Sequence, residues 1–272
     1  MAGRLQGKVA IITGASRGLG QYCAVAYARE GATVVVAART EQERDSRLPG
    51  TIHATARMVE EAGGEAFPVV CNVADNESVQ AMARQVLDRY GRVDLLMTNA
   101  AIQPPGGIAT MEIRHWELEF RVNVHGSFYC IRAVLPSMLE RGSGNIIAIS
   151  SVAAAGGSHY GATKRAIESM TIGLADEVRG QGVAVNCLKP VRALDTPGVR
   201  LPRAPGQVGS RPLGEVPPPD SYVEAAVLLA MQTPATCTGQ VFTDAEALKA
   251  LADETTFQRF KAMNPASWSA GL

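Results

Sequence analysis

The chain of 272 residues is long enough for one large α/β unit, and with 46% hydrophobic residues it can build a sizeable core. Its 26 basic and 26 acidic residues cancel, so no basic field points to nucleic acid and no acidic one to a cationic partner. No apolar run is long enough to span a bilayer, no zinc-finger spacing is present, and the amino terminus lacks a signal pattern, so neither a membrane span nor a metal site is expected. The five cysteines (Cys23, Cys71, Cys130, Cys187 and Cys237) are scattered and odd in number. They read as buried thiols in a reducing, cytoplasmic compartment.

Short apolar runs alternate with longer helical patterns, the sign of βαβ units. The first strand, Val9–Thr13, runs directly into Gly14-Ala15-Ser16-Arg17-Gly18-Leu19-Gly20, where a helix over about 18–30 begins. Glycines at this spacing let the backbone turn tightly, and the helix start offers unpaired N–H groups to a pyrophosphate. The second strand, Thr33–Ala38, ends in Arg39-Thr40 with no acid at its tip. An acid there would suit a ribose 2′-hydroxyl, whereas an arginine suits a 2′-phosphate. Arg39, with Arg17 as a second positive charge, therefore predicts NADP(H) in preference to NAD(H).

Further strands are predicted at Ala66–Cys71, Val93–Met97, Asn145–Ser150, Val183–Leu188 and Gln240–Thr243. Helices are predicted near 51–63, 76–90, 112–139, 158–179 and 220–232, and Gly31, Gly63 and Gly91 stand as stop signals after three helices. The strands are β-branched and continuously apolar, as strands covered on both faces must be. The pattern predicts one doubly wound, Rossmann-like parallel sheet of about seven strands, with residues 1–272 as a single domain. Val191–Asp220 breaks the rhythm with its proline, glycine and arginine content. It reads as a substrate lid, with plain disorder as the alternative.

Tyr160 and Lys164 are spaced i and i+4, on one face of a predicted helix. A free phenol titrates at about 10, too high for a base near neutrality, and a nearby ammonium favours the phenolate. The pair follows Ser150-Ser151 at a strand end, where parallel sheets bind ligands.

The segments TGASRGLG, TNAA (98–101), NVHGSF (123–128), ISS (149–151) and YGATK (160–164) occur in the order found in short-chain dehydrogenase/reductases. Between residue 8 and about 190 the chain resembles that family. The lengthened loop before Pro49-Gly50-Thr51-Ile52, the segment LKPVRALDT and the late TGQVFTDAEAL resemble its hydroxysteroid dehydrogenase-like subgroup. The resemblance implies Tyr160 as general acid/base, Lys164 as its tuner and ribose ligand, Ser151 as a donor to the substrate oxygen, and Asn123 as holder of a relay water. It implies a cofactor site of Gly14, Ser16, Arg17, Gly18, Leu19, Asn72, Val73, Asn99, Tyr160, Lys164 and Pro190, to which Arg39 at the second strand's end is added. It also implies a homotetramer or homodimer. The expected chemistry is interconversion of a secondary alcohol and a ketone on a small apolar substrate; the alternative is a cofactor-binding sensor or scaffold with little turnover.

The chain departs from the family pattern at several positions. Asn72 stands where Asp is common, Ala101 ends the TNAA turn, Val191 follows Pro190, and the Ser151–Tyr160 connection is short. That short link, with Gly156-Gly157 in it, is expected to open one side of the pocket. His159 reads as an ordinary packed or surface residue, and Trp116 and Phe120 as core or subunit contacts.

Overall fold

The computed structural model describes residues 3–43, 45–200 and 216–263. Strands β1 (Val9–Thr13), β2 (Thr33–Ala38), β3 (Glu65–Val70), β4 (Leu95–Thr98), β5 (Gly144–Ile149), β6 (Val183–Lys189) and β7 (Val241–Thr243) form one sheet in the order β3-β2-β1-β4-β5-β6-β7. Every adjacent pair is parallel. The helices are α1 (Gly18–Arg29), α2 (Ile52–Glu61), α3 (Asn76–Tyr90), α4 (Ile113–Phe120), α5 (Gly126–Glu140), α6 (His159–Glu177), α7 (Pro197–Arg200), α8 (Asp220–Ala230), α9 (Asp244–Leu251) and α10 (Glu254–Met263).

Alternate residues of each central strand point to opposite faces. Ala10, Ile12, Val34 and Val36 pack with Tyr27 of α1, Leu229 of α8 and Leu248 of α9. Val9, Ile11, Val35 and Ala37 pack with Met82 of α3 and Val134 and Met138 of α5. Ile167 of α6 packs on Ala148 and Cys187. Because both faces are covered, these strands are apolar throughout, and at about 25 cal/mol per Å² this burial is the main favourable term. The five cysteines are buried and free. Burial pushes Cys23 up to about 12 and Cys71 up to about 11, so both stay as thiols.

All seven strands expected from hydropathy are present, with β3 and β5 starting one residue earlier, β7 one residue later and β4 two residues later. The helix expected over 112–139 is two helices, α4 and α5, joined through a π-helical turn at Arg121–His125. The two helices beyond β7 are additions to the expected set, although α9 carries a signature in its sequence. Its Thr243 accepts from the Glu246 N–H at 3.1 Å, and the Glu246 carboxylate accepts from the Thr243 N–H at 2.7 Å, a capping box. Of the expected lid at 191–220, residues 201–215 lie outside the described residues. Among the described residues no helix is long and apolar enough to cross a membrane, and no His, Cys, Asp and Glu group forms a metal cluster.

Candidate active site

The sheet order reverses between β1 and β4, and such a switch leaves a crevice at the carboxyl ends of the strands. The candidate residues lie at that rim. Gly14 to Leu19 follow β1, Arg39 follows β2, Asn72 and Val73 follow β3, Asn99 follows β4, Ser151 follows β5 and Pro190 follows β6.

The glycine turn is pinned to the end of β4. The Thr13 hydroxyl accepts from the N–H groups of Asn99 (3.1 Å) and Ala100 (3.2 Å). The Asn99 carboxamide donates to the carbonyls of Thr13 (2.8 Å) and Gly14 (3.3 Å). Side chains do not fit between these partners. A methyl on Gly14 (φ 65°) would fall 2.7 Å from the Ala100 Cα, and one on Gly20 would fall 2.5 Å from the Asn99 nitrogen. Helix α1 begins with no side-chain cap and no acid in its first turn. Its open N–H groups and dipole therefore fit a dinucleotide pyrophosphate. Thr196 lies over this turn, 3.6 Å from where a methyl on Gly18 would be.

Arg39 is exposed, and its charge reaches Arg17. Arg17 is partly occupied: Nε donates to the Pro49 carbonyl (3.1 Å) and an NH2 group to the Gly50 carbonyl (2.9 Å). It thus clamps the lengthened loop before α2 onto the glycine turn. Burial, and then the neighbouring Arg39, lower its proton affinity, while Glu43 and Asp45 oppose that. Glu41 faces His53 at 3.5 Å. The Asn72 carboxamide oxygen accepts from the Ala74 N–H (3.3 Å), a local turn that sets Val73 against Gly126.

Lys164 is buried, and its Nζ donates to the Ile149 carbonyl at 2.8 Å. Burial lowers it to about 8, with Cys187 and Glu119 opposing. The ammonium stands 5.5 Å from the centre of the half-buried Tyr160 ring. Ser151 accepts from the Ala153 N–H (3.2 Å) and so caps a 3-10 turn, Val152–Ala155. Its own hydroxyl hydrogen plays no part in that bond. This turn fills the short Ser151–Tyr160 link and seats on α6, where a methyl on Gly161 would fall 2.3 Å from the Ala153 carbonyl. Gly156 and Gly157 adopt no positive φ, so the link does not use the freedom expected of them.

Asn123 lies in the π turn, a feature common at functional sites. Its oxygen accepts from the Ile102 N–H (2.8 Å), and its nitrogen donates to the Ile102 carbonyl (2.9 Å) and to Thr163 (3.1 Å). The side chain therefore staples the β4–α4 loop to α6.

Two further acids lie at the site. Asp244 is buried; it accepts from the Val191 N–H (2.6 Å) and from Ser221 (2.8 Å), and so fixes the chain just after Pro190. Glu119 is fully buried and meets His159 at 2.6 Å. His159 is packed, as expected, but against an acid. No spacing rule links residues 40 apart, whereas the TDAE capping signature could have drawn attention to Asp244.

Residues 8–200 match the short chain dehydrogenase family. The 3-oxoacyl-(acyl-carrier-protein) reductase FabG of Thermotoga maritima is 31% identical over 245 residues, covering 88% of this chain and 96% of that one. Hydroxysteroid dehydrogenase-like protein 2 of Danio rerio is 28% identical, over 91% of this chain and 59% of its own length. A metagenomic short-chain oxidoreductase solved in complex with NADP superposes with a TM-score of 0.73 at 29% identity, over 88% of this chain and 97% of that one.

This chain is a short-chain dehydrogenase/reductase. As a member of that family it is an oxidoreductase that uses a nicotinamide dinucleotide, and the uncapped α1 terminus above the glycine turn fits the phosphates of such a cofactor. Asn99→Ala removes two hydrogen bonds that hold this cradle, each worth roughly 0.5–1.5 kcal/mol. Cofactor affinity, measured by fluorescence titration, should fall about tenfold. An unchanged affinity would show that the cradle holds its shape without the carboxamide.

Proposed function

We propose that the chain is a single-domain, NADP(H)-dependent enzyme that interconverts a secondary alcohol and a ketone on a small, apolar substrate. The observation that carries this reading is the buried Lys164 ammonium beside Tyr160, fixed on the Ile149 carbonyl. In reduction the Tyr160 hydroxyl gives its proton to the carbonyl oxygen, and in oxidation the phenolate takes it back. Lys164 favours the phenolate by its charge and offers further N–H donors to the cofactor ribose. Ser151 donates its hydroxyl hydrogen to the substrate oxygen. Asn123 keeps α6 and the β4–α4 loop in register and holds the relay water. When bound, the nicotinamide supplies or accepts the hydride. Val152, exposed next to Ser151, suits an apolar substrate. The FabG relative named above is a reductase of 3-oxoacyl groups, which supports ketone chemistry.

Gly14, Ser16, Gly18 and Leu19 serve the pyrophosphate, Asn72 and Val73 the adenine, Asn99 the adenosine ribose, and Pro190 the nicotinamide end. Preference for NADP(H) is supported by two guanidinium groups, Arg17 and Arg39, near the tip of β2, and by the pairing of Glu41 with His53. Five buried thiols suit a reducing, cytoplasmic setting. The exposed side chains of Ile113, Trp116 and Leu118 on α4, Phe128 on α5 and Ile172 on α6 support assembly into a homotetramer or homodimer.

Tyr160→Phe should leave cofactor binding intact and slow turnover of a screened ketone about 10²–10⁴-fold, followed by NADPH absorbance. Near-full activity in that variant would overturn the mechanism, and the absence of turnover over a broad ketone panel would favour a cofactor sensor. NADPH should bind more tightly than NADH. Because a charge-assisted hydrogen bond is worth roughly 1.5–3 kcal/mol, Arg39→Ala should reduce that preference about tenfold or more. Equal affinities for the two cofactors in the unaltered enzyme would rule it out. Light scattering should give a mass of two or four chains; a stable monomer at micromolar concentration would contradict assembly.

A further inference from the structure

Glu119 and His159 have no role in the proton path described above, yet they stand against it. The carboxylate comes from α4 and the imidazole from the first residue of α6, next to Tyr160. Both are buried, Glu119 at 0% exposed and His159 at 5%. His159 Nδ1 meets Glu119 Oε2 at 2.6 Å, and Nε2 meets the Gly106 carbonyl at 3.1 Å. A carbonyl only accepts, so Nε2 carries a hydrogen. One more proton must then lie between Nδ1 and Oε2, on either partner, because two lone pairs would repel at that distance. Glu119 Oε1 is buried and has no hydrogen-bond partner. A buried acid left half-satisfied costs stability and calls for a reason beyond packing.

Its neighbours supply one. Burial pushes Glu119 above the usual carboxylate range, while His159 and then Lys164 favour its charged form, and Glu119 acts on Lys164 in return. The other ionisable groups of α4, of the loop before it and of the π turn are directed elsewhere. Glu112 and Arg114 pair with each other on the surface, Glu117, Arg121 and His125 are exposed, and His115 is half-buried. From α6, Arg165 is exposed and pairs with Glu168.

Given the acid/base role proposed for Tyr160 and Lys164, we propose that Glu119 and His159 are positioning residues for that pair. His159 ties the first turn of α6 to α4 and to Gly106 in the β4–α4 loop, and so fixes where Tyr160 stands. Glu119 places a carboxylate within electrical reach of the buried ammonium and helps it hold its proton.

Tie and charge are separable. Glu119→Gln keeps the size of the side chain, and its amide can donate to Nδ1 of a neutral imidazole, so the tie persists while the carboxylate that acts on Lys164 is lost. His159→Phe removes the donor and leaves the Glu119 carboxyl buried and unpaired, which drives it to the neutral acid. Burial already lowers Lys164, with Cys187 and then Glu119 opposing, so the expected result of losing the carboxylate is a further fall.

The chain has five lysines, few enough for selective ¹³C labelling to resolve Lys164 by nuclear magnetic resonance, with Lys164→Arg assigning the signal. In both variants, checked as folded by circular dichroism, Lys164 should titrate about half a unit or more below its value in the unaltered enzyme. The alkaline limb of kcat for ketone reduction should move down with it in Glu119→Gln, while KM changes less than about threefold. Superimposable Lys164 titrations in the unaltered enzyme and Glu119→Gln would overturn the proposal, as would an unmoved alkaline limb alongside a shifted lysine. The lysine titration needs no substrate, so its outcome stands apart from the identity of the reaction. A shifted Lys164 in a protein that turns over no ketone would retain the charge coupling and remove the alcohol–ketone reading.

Discussion

Between β1 and β4 the direction of winding reverses, and the site depends on how closely those two strand ends approach. Thr13 accepts two backbone N–H groups from beyond β4, and Asn99 returns two hydrogen bonds to the turn after β1. Backbone runs so near backbone that Gly14 and Gly20 have no room for a methyl. The crevice is thus walled on one side by a turn that cannot widen without breaking these bonds. With every strand parallel, each remaining group at the rim arrives from the carboxyl end of its own strand. Function is gathered by the sheet instead of by nearness in sequence.

Helix α6 meets that rim under a second constraint. It carries both Tyr160 and Lys164, and it buries the lysine. The cost of taking an ammonium out of water is offset in part by the Ile149 carbonyl, which also locks Nζ in place. The folded protein holds that proton less well than the unfolded chain, because burial lowers Lys164 to about 8. Between about 8 and the ordinary lysine value the unfolded state binds more protons, so this group's contribution to stability rises with pH there and its cost is full below about 8. The helix accepts that destabilisation at the position where a fixed cation is of use. Three contacts anchor α6 around it: Gly161 seated against the Ala153 carbonyl, Thr163 bonded to Asn123, and His159 bonded to Glu119.

The π-helical turn between α4 and α5 serves the same end. It lodges Asn123 where one carboxamide reaches both the Ile102 backbone and Thr163. Asp244 does the corresponding work on the other side, receiving the Val191 N–H just past β6. The loops that flank the crevice are therefore held by buried polar side chains, each a short hydrogen bond from the backbone it positions.

Much of this architecture is legible in the order of the residues. Burial on both faces forces runs such as Thr33–Ala38 to be apolar throughout, so the strands stand out along the chain. Gly14, Gly18 and Gly20 stand where the turn calls for glycine, and Tyr160 and Lys164 share a face by helical spacing alone. All of these are local rules, written in residues close together in the chain. The boundaries of β3 and β4, the π turn and the engagement of Arg17 by Pro49 and Gly50 are not legible there, because packing partners and not local propensity decide them. The coupling of Glu119 to His159 across 40 residues, and of Asp244 to Val191 across 53, is decided by the tertiary structure alone. Hydrogen bonds between distant side chains and backbone leave no period in a sequence; they exist only once the sheet has brought their helices and loops to one rim.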